Sequence, residues 1–108
     1  LCALTASVYL AAVGPQGLKQ AATLCLSKAH YLAQELTKIE GVNLVYGGEF
    51  FHEFVTTLPK QEEVLAALAK EGILGGLPVK EGVLWCVTEK ATKEALDKAV
   101  AIVKEVCA

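Results

Sequence analysis

Between Gln16 and Glu40 the apolar residues Leu18, Ala22, Cys25, Ala29, Leu32, Leu36 and Ile39 recur every three or four positions, the period of one helix face. That predicts a long amphipathic helix ended by Gly41. The alanine- and leucine-rich run Cys2 to Val13 predicts another helix before it, stopped by Gly14-Pro15. The pattern then shifts towards strands. Val42 to Tyr46 and Phe50 to Leu58 read as extended, joined by Gly47-Gly48-Glu49 in an antiparallel hairpin and closed by Pro59. Val64, Leu65 and Leu68 mark a helix from Lys60 to Glu71, with Gly72 expected in the left-handed conformation just beyond it.

Glycines and a proline in Gly72-Ile73-Leu74-Gly75-Gly76-Leu77-Pro78 forbid helix there, because both residues are poor in helix interiors. Gly75 and Gly76 can take positive φ and let another backbone or a ligand approach closely, since neither has a Cβ. After Lys80-Glu81-Gly82 come the five apolar residues Val83 to Val87, which predict a central strand covered on both faces. Thr92 is an expected N-cap, with Glu94 in the first turn of a final helix reaching Val106 and Lys104 at its end. The order is ααββαβ(β)α. It implies a two-layer α+β domain whose small antiparallel or mixed sheet carries its helices on one face.

A chain of 108 residues has room for one core, so residues 1–108 form a single domain. The net charge is -2 and every one of the ten cationic residues is a lysine, scattered along the chain. No cationic cluster exists for nucleic acid or an anionic membrane, and neither is expected as a partner. No apolar run approaches the roughly 20 residues that span a bilayer. The absence of methionine and the apolar pattern already under way at Leu1 are expected of a fragment of a longer chain. A hydrophobic fraction of 54% points to an apolar patch that meets missing sequence or a partner, or drives self-association.

Cys2, Cys25, Cys86 and Cys107 stand far apart with no CxxC pair and no histidine at ligand spacing, so no zinc or redox motif is read. Cys25 and Cys86 are expected as buried reduced thiols, which places the protein in a reducing compartment, the cytosol. His30 lies beside a helical apolar stripe. His52 and Glu53 fall in a predicted strand, where neighbouring side chains point to opposite faces and cannot act as a pair. Thr88-Glu89-Lys90 ends the central strand, where side chains often reach into a crevice. No phosphate loop, GxSxG elbow or triad is present.

Leu1-Cys2-Ala3-Leu4-Thr5-Ala6 with Val8-Tyr9-Leu10, and Leu24-Cys25-Leu26 with Lys28-Ala29-His30-Tyr31-Leu32-Ala33, resemble the glycine cleavage P-protein family. So do Phe50-Phe51-His52-Glu53-Phe54-Val55, Glu71-Gly72-Ile73-Leu74-Gly75-Gly76-Leu77-Pro78 and Cys86-Val87-Thr88-Glu89-Lys90, in the same order. The resemblance covers essentially the whole chain and is to the C-terminal part of glycine dehydrogenase (decarboxylating) subunit 1. It implies the small C-terminal domain of a fold type I pyridoxal-phosphate enzyme that decarboxylates glycine and transfers the aminomethyl group to lipoylated H-protein. It also implies a partner, glycine dehydrogenase subunit 2, which binds the pyridoxal phosphate through its own lysine. The isolated fragment is then inactive. No arginine here can hold the glycine carboxylate.

Family members carry a longer, aromatic-containing loop where this chain has only Lys80-Glu81-Gly82. Gly75, Gly76, Thr88 and Glu89 are the candidates for lining a cleft, and no catalytic, cofactor-binding or metal-ligating residue is assigned. The alternative reading is a small regulatory or interaction module that binds an amino acid at a dimer interface, which the same ββαβα order can build.

Overall fold

The computed structural model describes all of residues 1–108. Its first element, α1, runs over Cys2–Thr37 and breaks at Gly14, whose φ of 67° and ψ of 177° are not helical. Pro15 opens the second segment, where its fixed φ suits a helix start and its missing N–H is no loss. The expected pair of helices is thus present as two segments of one kinked run. Only the later part of the predicted apolar stripe is buried: Cys25, Ala29, Leu32, Leu36 and, just past the helix end, Ile39 face the core, while Leu18 and Ala22 remain exposed. Nothing from the sheet or the other helices covers the earlier turns.

β1 is Glu53–Thr56, shorter than the predicted strand. The expected hairpin reduces to one bridge, Leu44 to Thr56, with Val45 N–H donating to the Val55 carbonyl at 3.0 Å and Thr57 N–H to that of Asn43 at 2.9 Å. Phe50 lies outside β1, and its ring stacks on His30, centroids 4.1 Å apart and planes 6° from parallel. His30, beside the apolar stripe of the helix, is therefore a packing residue.

α2 spans Gln61–Lys70, with Glu62 and Glu63 in its first turn and Lys70 in its last, each favourable against the helix dipole. Its end is tightly specified. Ile73 N–H reaches the Leu68 carbonyl at 2.9 Å and Gly72 N–H that of Ala69 at 3.0 Å, and Gly72 has φ 77° as expected. Those two bonds form the paired closure that left-handed glycine caps make.

β2, Leu77–Val79, and β3, Gly82–Cys86, follow, joined by a tight turn at Lys80-Glu81. The sheet order is β1-β3-β2, antiparallel throughout, so β3 is central as predicted and Pro78 lies on an edge where its missing N–H is tolerated. α3, Lys93–Cys107, is capped by Thr92, whose Oγ1 accepts the Ala95 N–H at 3.0 Å.

Val83 and Trp85 from β3, with Val87 just beyond its end, project into one core with Leu32, Leu36, Val64, Leu68, Leu96, Ala99 and Val103. All the helices therefore contribute to one side of the sheet. Within this chain the other side is not covered: Leu84 is half-buried and Cys86 exposed. The expectation of a doubly covered strand with a buried Cys86 is corrected by this alternation, since the helices reach only the face that carries Trp85. Cys25 is buried, Cys107 half-buried and Cys2 exposed; all four thiols are free.

Candidate functional site

The glycine-rich connection from α2 to β2 and the turn after β3 border one cleft of about 220 Å³. Leu32, Ile73, Trp85, Val87, Leu96 and Ala99 supply much of its apolar wall, and Gly75, Gly76 and Thr88 also line it. Glu89 does not. Neither Gly75 nor Gly76 uses positive φ. What the pair permits is close approach by the protein's own parts: a Cβ on Gly76 would sit 2.2 Å from Val83 Cγ1 and 2.5 Å from the Leu84 carbonyl oxygen. A Cβ on Gly75 would stand 2.9 Å from methyl carbons of Leu65 and Leu68. The glycines let this segment lie flat against β3 and α2, which shapes the cleft floor.

The turn Thr88-Glu89-Lys90 is held from α1. Lys28 Nζ donates to the backbone carbonyls of Glu89, at 2.8 Å, and Ala91, at 2.5 Å. Those two bonds fix the exit of β3 relative to α1, and so the cleft edge at Thr88. The Glu89 carboxylate turns towards α1, where Oε2 accepts a hydrogen bond from Cys25 Sγ at 3.4 Å. Its own backbone N–H, then the thiol, hold Glu89 below the usual carboxylate range. Burial first, and then the hydrogen bond to Glu89, push the Cys25 thiol up, so sulfur stays protonated as donor. Sequence reasoning missed Lys28 and the Cys25 pairing with Glu89. Both join residues far apart in the chain, and only the buried position of Cys25 was legible.

His52 departs from its expected place. β1 begins at Glu53, so His52 does not obey strand alternation, and its imidazole lies on the same side as the Glu53 carboxylate. Cys86, opposite Glu53 in the β1–β3 register, is close to both. Desolvation, and then the negative charge of Glu53, raise the Cys86 thiol above its ordinary value.

The profile of the glycine cleavage system P-protein family matches residues 1–103. The chain belongs to that family. A probable glycine dehydrogenase (decarboxylating) subunit 1 from Moorella thermoacetica is 41% identical over 116 residues, which cover 100% of this chain and 26% of that protein. The Chlorobium limicola protein of the same description is 42% identical over 105 residues, covering 93% and 24%. A crystal structure of glycine decarboxylase (P-protein) of the glycine cleavage system, in inhibitor-bound form, superposes with a TM-score of 0.82 at 38% identity, covering 92% of this chain and 24% of that one. The chain thus spans about a quarter of the length of the P-protein relatives it matches. The Moorella alignment is longer than the chain itself, 116 positions against 108, so that relative carries additional residues within the matched span.

Pyridoxal phosphate, implied by the family resemblance, is held in its enzymes by a lysine Schiff base. No lysine lines this cleft, whose walls are mostly apolar. The cleft residues of this chain do not fit that cofactor.

Proposed function

We propose that this chain is the C-terminal domain of a glycine dehydrogenase (decarboxylating) subunit 1. The observation that carries the reading is the 41% identity to a subunit of that description across the entire chain. In the assembled enzyme, subunit 2 holds pyridoxal phosphate, glycine loses its carboxyl group as carbon dioxide, and lipoylated H-protein receives the aminomethyl group. This domain contributes a wall of the reaction chamber. Gly75, Gly76 and Thr88 line its cleft, the apolar side chains keep water out, and Lys28 sets the position of the Thr88–Ala91 turn. Glu89 supports the same turn from behind through Cys25. The four free thiols fit a cytosolic enzyme, and no helix is long and apolar enough to cross a membrane.

A test is the release of labelled carbon dioxide from carboxyl-labelled glycine by subunit 2, pyridoxal phosphate and lipoylated H-protein, with and without a complete subunit 1 containing this sequence. Release that requires the complete subunit supports the assignment. Equal release without it overturns it.

A further inference from the structure

On the sheet face turned away from the helices, the register of β1 against β3 sets Glu53 directly across from Cys86. Facing residues of an antiparallel pair have their Cβ atoms about 5 Å apart, so this carboxylate and this thiol share one spot on the surface. His52 joins them from the residue before the strand. Its carbonyl accepts the Val87 N–H at 2.9 Å, which ties its backbone to the end of β3. The imidazole, carboxylate and thiol donor atoms all lie within 4.8 Å of one another.

We propose that His52, Glu53 and Cys86 form a three-ligand site for a divalent cation of the zinc class, with a fourth position open to water or to a ligand. A zinc ion binds N, O and S donors at about 2.0–2.3 Å and therefore draws tetrahedral ligands to about 3.5 Å from each other. Rotation of the Glu53 and Cys86 side chains, both exposed, supplies that contraction without moving the strands. The donor set selects the metal. Imidazole and thiolate suit zinc, whereas magnesium and calcium favour oxygen alone. A neutral imidazole with one carboxylate and one thiolate balances two positive charges. Glu53 is free to serve, because the ion pairs of the chain are Lys38 with Glu35 and Lys98 with Glu71. The site goes beyond the enzyme assignment and does not rest on it.

Cobalt(II) tests the site, because its bond to thiolate gives a charge-transfer band that oxygen and nitrogen ligands do not. The complete subunit containing this sequence, stripped with chelator, is titrated with cobalt chloride alone. The expected result is a thiolate band that saturates at one equivalent and disappears when zinc is added. Cys86→Ser removes the band, while His52→Gln and Glu53→Gln each weaken cobalt binding by at least about tenfold, no less than loss of an outer-shell partner costs. Cys2→Ser, at the other exposed thiol, leaves it unchanged. Absence of the band in the parent protein, its persistence in Cys86→Ser, or unchanged affinity in both the His52 and Glu53 variants overturns the proposal.

Discussion

Trp85 donates its indole N–H to Thr56 Oγ1 at 2.9 Å inside the buried face of the sheet. Thr56 is the one buried polar residue of the chain, and its hydroxyl is what lets the largest side chain of β3 occupy a dry core. A buried donor left without a partner costs about 1–3 kcal/mol, so Thr56→Val, close in shape but without the hydroxyl, is expected to destabilise the chain by that amount. Chemical denaturation measures it. Trp85→Phe in the valine background removes the orphaned donor, so the valine change should then cost much less.

Gly72 and Gly76 are required for different reasons, and alanine at each should show it. Gly72 has φ 77° with no atom within 4 Å of an added Cβ, so Gly72→Ala costs only left-handed strain, about 1–2 kcal/mol. At Gly76 the added Cβ meets the Leu84 carbonyl oxygen at 2.5 Å and Val83 Cγ1 at 2.2 Å. Overpacking of that kind costs about 1–3 kcal/mol or more and here must push the segment off β3. Amide exchange distinguishes them: Gly76→Ala should expose the amides that pair β2 with β3, and Gly72→Ala should not.

The contrast between these glycines shows what sequence could reveal. Gly72, the Thr92 cap and the apolar stripe from Cys25 to Leu36 are local devices, set by residues a few positions apart, and each was legible. The β1–β3 register is not local. It alone brings Cys86 opposite Glu53, and the strand's late start at Glu53 turns His52 to join them. Trp85 with Thr56, and Lys28 with the turn after β3, likewise depend on how elements pack. The run Val83 to Val87 was readable as a central strand, yet hydrophobicity alone could not say that this chain covers only one of its faces.

Tyr31 provides a pH test of the packing between α1 and α3. Its hydroxyl donates to Asp97 Oδ1, and that bond, followed by desolvation and the negative charge of Asp97, pushes its ionisation up to about 12. A group whose folded value exceeds its unfolded value of about 10 stabilises the fold fully below pH 10. The contribution is then lost as pH rises from about 10 towards 12. Tyrosinate absorbance should therefore show Tyr31 ionising well after its unfolded value, near pH 12. Asp97→Asn should bring that step down towards 10. An unchanged titration curve in the variant would show that the hydroxyl is bonded elsewhere.

Leu4, Val8, Tyr9 and Leu10 in the first segment of α1 are 64%, 61%, 47% and 51% exposed, and no buried residue lies before Cys25. Leu1, Leu4 and Val8 follow helical spacing and form one apolar stripe, the kind of surface that marks an interface. The chain represents about a quarter of its relatives' length, and if it too is part of a subunit of that length, the remainder of that subunit is the expected occupant of this stripe. Without that remainder, a second copy is the available apolar partner. The 108-residue chain should accordingly self-associate with rising concentration in sedimentation experiments and bind a hydrophobic dye. Leu4→Lys with Val8→Lys should suppress both, since neither side chain enters the core and the fold need not change. Leu77→Lys, on the sheet edge, provides the comparison: dispersal by that change alone would move the interface to the open sheet. Extending the chain to the complete subunit should also cover the stripe and abolish dye binding. A 108-residue chain that stays monomeric at high concentration and binds no dye would instead favour an independent module over a domain that leans on the rest of its subunit.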